Sequence, residues 1–268
     1  MKRIIALTVV LALMLALFAA CGGTADKKEE DGTASAGALK IGMEIGYPPM
    51  EYVDADGVTP IGFDVDVAYE LGRHLNREVE LVDTAWDAIF TSLDSNRYDA
   101  IISSVSITPE RQEKYIITKA YIANKLVLIT AADSQVTKPE ELAGLRVATQ
   151  TETTADIMMN ELIDGGLALG DYFVYDKIIQ CFDELKLGRV DAVMVDSVVA
   201  AYYLGEDSER YKTAWENDEG EPLGIALKKG NDDLAAQIEM ALDEMYADGT
   251  MKTLAEKHFG RDVTEGVR

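Results

Sequence analysis

The chain is short of cysteine, of histidine and of positive charge, and each shortage closes off a class of function. Two cysteines in 268 residues leave no room for a disulfide framework. Cys21 follows an apolar leader, and Cys181 falls among Ile178, Ile179, Phe182 and Leu185, where cysteine serves as a small buried hydrophobe. The two histidines, His74 and His258, lie far apart and lack metal-ligand spacing, so neither a metal nor another cofactor is expected. Lys and Arg total 25 against 48 Asp and Glu, a net charge of −23. That excludes nucleic acid as a partner, because phosphate binding needs a basic footprint. No nucleophile is paired with a base, and Gly165-Gly166 lacks the setting of a phosphate loop. The abundant acids read as solvated helix faces and single out no catalytic pair.

One hydrophobic run is long. Lys2 and Arg3 precede an unbroken apolar stretch from Ile4 to Ala20, the form of an export signal over residues 1–20. Cys21 directly after Ala19-Ala20 resembles a bacterial lipobox, in which the cysteine is lipidated and becomes the new first residue. The run falls a little short of the roughly 20 residues that a membrane span needs, which favours the cleaved and lipidated form. Residues 21–38 are small, polar and charged and cannot bury enough apolar surface to order themselves, so they read as a flexible tether. An extracytoplasmic domain held to the cell membrane by a lipid is the expectation.

From Leu39 the pattern alternates. Leu39–Met43, Val79–Val82 and Ala100–Ile102 read as strands, with helices opening near Gly62 and at Trp86. Thr108 fits a helix N-cap and Pro109 the first helical position. The pattern then restarts, with strands at Lys125–Ala131, Leu145–Thr149, Tyr172–Tyr175 and 189–196 separated by helices over Thr151–Ile163 and Lys177–Leu187. Leu223–Leu227 is a further strand, and 231–259 reads as two helices broken at 247–250. This is an α/β layout with mostly parallel sheets. The join Leu93–Ile102 is echoed by Leu185–Met194, so Ser103 and Asp196 stand at the ends of equivalent strands. The second unit reads as an insertion into the first: 39–123 and 224–268 form one lobe and 124–223 the other. Crossings near Ile122–Lys125 and Leu223–Ala226 would make the hinge.

Strand ends in open α/β sheets are where ligands bind. The stretch from Tyr98 to Arg111 gathers three serines and a guanidinium there, a set suited to a small carboxylate that Arg111 can grip with two parallel hydrogen bonds. A capped helix with a surface arginine would leave the same residues. For Asp196 the competing reading is a helix cap, for Trp86 core packing, and for Glu44 a solvated loop acid.

Taken in order, Ile41-Gly42 to Tyr47-Pro48-Pro49, Gly62-Phe63-Asp64-Val65-Asp66, Trp86-Asp87-Ala88-Ile89, Asp99 to Arg111, Leu142 to Val147, Gly188 to Ala192 and Asp248 to Phe259 resemble the periplasmic-type solute-binding proteins of polar amino-acid ABC importers. The likeness covers nearly all of residues 39–260. It implies a two-lobe type II periplasmic-binding-protein fold with two hinge-crossing segments, a free L-amino acid as ligand and a membrane permease as partner. A monomer that closes on its ligand is expected. By resemblance, Arg111 holds the α-carboxylate with help from Thr154, and Ser104 and Ser106 meet the amino-acid head; Ser103 and Thr153 are further candidate ligand-binding residues. Asp196 pairs with the α-ammonium. Glu44, Tyr47, Trp86 and Gln150 surround the side chain, where an acid with two aromatics suits arginine, then lysine or ornithine. Glu44 is one methylene longer than the aspartate of some relatives, and Gln150 and Ala155 also depart from them, which leaves the exact ligand open. Two alternatives remain. One is a dehydratase-like enzyme on the same fold, for which Glu44 is the one candidate acid or base. The other is a ligand-binding partner of a separate receptor.

Overall fold

The structure is a computed structural model that describes residues 37–267. The export signal, Cys21 and most of the tether lie outside the described residues. Runs that are apolar without alternation become central strands, because they are covered on both faces. The clearest is β5 (Ala100–Ser106), all seven residues of which are buried.

The first sheet has the order β4-β1-β5-β12-β6, built from β1 (Leu39–Met43), β4 (Val79–Asp83), β5, β6 (Tyr115–Ile117) and β12 (Leu223–Lys228). β4, β1 and β5 run parallel, and β12 enters antiparallel between β5 and β6. The second sheet has the order β11-β7-β10-β8-β9, from β7 (Leu126–Ala131), β8 (Arg146–Gln150), β9 (Asp171–Tyr175), β10 (Ala192–Asp196) and β11 (Tyr211–Glu216). Here β10, β8 and β9 are parallel while β7 and β11 are antiparallel. Helices α1 (Phe63–His74), α2 (Trp86–Asp94), α3 (Pro109–Lys114), α7 (Asp232–Ala247) and α8 (Thr250–Phe259) belong to the first sheet's lobe. Helices α4 (Thr154–Asp164), α5 (Ile178–Lys186) and α6 (Ser197–Asp207) belong to the second. A small hairpin of β2 (Tyr52–Val53) and β3 (Pro60–Ile61) lies apart from both sheets. This is the two-lobe α/β fold that the sequence pattern implies.

The sequence echo has a structural cause. Asp99 accepts the Lys40 N–H at 3.0 Å and Asp191 accepts the Arg146 N–H at 2.9 Å. In each lobe, then, an aspartate ahead of the central strand (β5 or β10) secures the start of the parallel strand beside it. The repeat places the far ends of those central strands, Ser106 and Asp196, on the crevice.

Three features differ from the sequence pattern. The strand expected to end at Ile102 runs through the serines to Ser106, because the Ser103 and Ser106 hydroxyls find partners inside the protein. The hairpin β2–β3, the strand β6 and the strand β11 went unassigned; two of the four strands involved have only two residues, too few to show a period. The second crossing lies at 217–222, ahead of the expected 223–226, because Leu223 already pairs with Ser106 of β5. The two crossings are bonded to each other by Glu221 N–H donating to Asn124 O at 2.7 Å, and next to them Leu223 N–H of β12 donates to Ile122 O at 3.1 Å.

The entry to α1 depends on one glycine. Gly62 has φ 134° and ψ 177°, a region open almost only to glycine, and a Cβ there would stand 2.2 Å from the Met50 carbonyl oxygen. Gly62→Ala is expected to lower the unfolding free energy by about 2–4 kcal/mol, read as an earlier urea midpoint with an unchanged slope.

Candidate functional site

Each lobe delivers its polar residues from strand ends and helix starts. Thr108 caps α3 by accepting the Arg111 N–H at 3.2 Å, with Pro109 in the first helical position. That cap sets the direction of Arg111, whose Nη1 donates to the Ser106 carbonyl at 3.0 Å. Its guanidinium lies 5.4 Å from the ring centres of both Trp86 and Phe90, a cation–π seat that holds the charge in place. In the second lobe Thr153 caps α4, accepting the Asp156 N–H at 3.2 Å and donating to Gln150 O at 2.8 Å. The positive end of an eleven-residue helix therefore points into the crevice, where an anion is favoured.

All eleven residues singled out from the sequence line one pocket: Glu44, Tyr47, Trp86, Ser103, Ser104, Ser106, Arg111, Gln150, Thr153, Thr154 and Asp196, joined by Glu51. Asp196 stands at the cap position of α6 yet makes no side-chain cap bond. Its Oδ2 accepts from the Tyr47 hydroxyl at 2.6 Å and its Oδ1 from Asn124 Nδ2 at 2.5 Å, so the helix-cap reading of this acid falls away. Burial, reinforced by the Glu221 charge, lifts the Asp196 carboxyl to about 7; Tyr47, Asn124 and Arg111 pull the other way. Arg111 is pushed down by burial and held up by Glu221 and Asp196.

Glu44 is buried, which removes the solvated-loop reading. Both its oxygens accept from Gln150 Nε2, at 2.9 and 2.7 Å, across the crevice. Burial raises it to about 7, against the opposing pull of Gln150 and of the Lys177 ammonium. Gln150 Oε1 and Ser104 Oγ are buried without a hydrogen-bond partner, and both residues line the cavity.

Two expected roles look different in place. Trp86 and Tyr47 were expected to sandwich a ligand's cation. Instead Trp86 carries Arg111 on its ring and donates its indole N–H to Glu152 O at 3.1 Å across the crevice, while Tyr47 is tied to Asp196. The Thr154 hydroxyl, expected to face a carboxylate, donates to Glu221 and lies 3.5 Å from Ser106 Oγ.

The sequence profile of the bacterial extracellular solute-binding proteins, family 3, matches residues 39–261. The chain belongs to that family. The L-cystine-binding protein TcyJ of Escherichia coli (strain K12) is 32% identical over 245 residues, 91% of this chain and 88% of the relative. The histidine-binding periplasmic protein of the same strain is 34% identical over 241 residues, 85% of this chain and 90% of the relative. The solved structure of an ancestral arginine-binding protein bound to arginine superposes with a TM-score of 0.79 at 32% identity, covering 84% of this chain and 99% of that one.

Sequence reasoning about this family 3 chain missed four residues of the crevice. Glu51 lines the cavity, Phe90 supports Arg111, and Asn124 and Glu221 bring the two crossings to Asp196 and Arg111. Asn124 lay within a predicted crossing and Glu51 just after Pro48-Pro49, so position hinted at both. Nothing local marks Glu221, which reaches the site only through the path of the second crossing.

Because Glu44 and Asp196 titrate above the usual carboxylate range, their neutral forms favour the folded state. The stability they contribute is fully present below about pH 4 and is lost as pH rises through about 7. The melting temperature of ligand-free protein should therefore fall between about pH 5 and pH 8. Glu44→Gln should flatten that fall.

Proposed function

We propose that the chain captures a free L-amino acid with a cationic side chain, arginine before lysine or ornithine, and presents it to a membrane permease. The observation that carries the reading is the charge inventory of the cavity: two acids that face the crevice, Glu44 and Asp196, against one guanidinium, Arg111. A zwitterion satisfies Arg111 with its carboxylate and Asp196 with its ammonium, as fixed buried charges require. Glu44 is then left for a positive group at the far end. The unpartnered Gln150 Oε1 adds an acceptor there, which suits the many N–H donors of a guanidinium. Arg111 and Asp196 come from different lobes, so the ligand stabilises the arrangement in which the lobes meet, and that arrangement is what a permease would recognise. The likeness to an arginine-bound protein supports the same choice.

A second reading is L-cystine, which the relative TcyJ is named for binding. It is favoured by Lys177, whose ammonium stands beside Glu44 and gives the far end both signs, as a second zwitterionic head would need. We also assign Cys21 as the lipid attachment that keeps the protein as a monomer on the outer face of the cell membrane. Cys21→Ser should move it from the membrane fraction to the soluble one.

A thermal-shift panel of the twenty amino acids with ornithine and cystine tests the ligand, since a ligand at 100 times its dissociation constant adds about 2.7 kcal/mol. Arginine should give the largest shift and glutamate almost none. A largest shift from cystine would replace the first reading with the second. Arg111→Ala and Asp196→Ala should each abolish the shift while leaving a folded protein.

A further inference from the structure

Behind the cavity wall a second buried acid, Asp64 of α1, meets Glu51. Asp64 collects donors. The Ser104 N–H reaches Oδ2 at 2.9 Å, and the Tyr121 hydroxyl lies 2.8 and 2.9 Å from its two oxygens. Such a carboxyl is an acceptor at both oxygens. Glu51 has different surroundings. The Glu44 N–H donates to Ser103 Oγ at 3.0 Å, which leaves the Ser103 hydroxyl hydrogen for Glu51 Oε1 at 2.5 Å. Oε1 is thereby an acceptor, while Oε2, fully buried, receives no donor at all. Glu51 and Asp64 are buried close enough to shift each other's acidity, and two adjacent buried carboxyls cannot both ionise.

We propose that Glu51 is a neutral carboxylic acid donating from Oε2 to Asp64, and that this shared proton positions the serine turn of β5 for the ligand's head group. The second half rests on the amino-acid reading above; the first half does not. Ser104 has φ 48°, a left-handed conformation unusual for a side-chain-bearing residue inside a strand. Asp64 holds the N–H of that residue, and Glu51 holds the hydroxyl of the residue before it. Tyr121 carries the network toward the hinge, since its N–H donates to Leu223 O at 2.9 Å. The titratable groups facing the pair are Glu44 and Tyr47 after β1, Tyr121 before the first crossing, and His258 of α8. Burial, then the Asp64 charge, with Glu44 adding, pushes the Glu51 acid well above its ordinary range. Asp64 rises only to about 6, burial being opposed by Ser104, Tyr121, Glu51 and His258.

Glutamine at 51 reproduces the neutral acid, with an oxygen for Ser103 and an N–H for Asp64. Infrared difference spectroscopy on the ligand-free protein at about pH 8.5, above the range where Glu44 and Asp196 titrate, should show a protonated carboxyl band that Glu51→Gln removes. No band, or a band that survives the substitution, overturns the proposal. In calorimetric titration with L-arginine, Glu51→Gln should bind within about threefold of wild type and Glu51→Met at least about tenfold more weakly. The ratio of wild-type to Glu51→Gln dissociation constants should climb in alkaline buffer, because only the wild type has that proton to lose. Equal weakening by both substitutions, or none by Glu51→Met, overturns the positioning role. Should wild type ignore arginine, the amino acid with the largest thermal shift takes its place. The infrared result stands in either case, so failure of the ligand reading and failure of the proton pair are told apart.

Discussion

A carboxylate buried between two lobes must find donors, and at Asp196 they come from outside its own lobe. Tyr47 reaches over from the first lobe and Asn124 rises from the first crossing. Burying a charge without such partners costs several kcal/mol, so the arrangement of the lobes and the solvation of this one acid are a single problem. The lift of Asp196 to about 7 shows that Tyr47, Asn124 and Arg111 solve it only in part. A positive group brought to the same carboxylate would complete the solution.

The same logic holds at the other end of the cavity. Glu44 belongs to the first lobe, and both its oxygens are taken by Gln150 of the second. Trp86 bonds to the Glu152 carbonyl, and Lys177 reaches the Ile45 carbonyl at 3.4 Å. These contacts cross the crevice by way of side chains and carbonyls. They are directional and each is worth little by itself. The central strands behind it, β5 and β10, are buried along their whole length and position the two halves of the site.

The residues that could be read from the chain are those whose role follows from local chemistry. Thr108 and Pro109 announce the start of α3, and the apolar runs 39–43, 100–102 and 192–195 announce central strands. The repeated Arg-X-Asp-Ala before Ile101 and Val193 announces the two equivalent lobes. Glu51, Asp64 and Glu221 were silent, because an acid among 48 acids looks like solvated surface until the path of the chain buries it. The short strands β2, β3 and β6 were silent for another reason: two or three residues carry no period.

Sequence by itself determined the α/β order, the interrupted first unit and the identities of the cation and anion that face the cavity, since these follow from hydrophobic period, capping chemistry and charge. Only the tertiary structure decided which aromatic serves which charge, that Asp196 turns away from its own helix, and that Glu51 lies against Asp64. Those outcomes depend on desolvation, and desolvation is a property of what the rest of the chain places around a group.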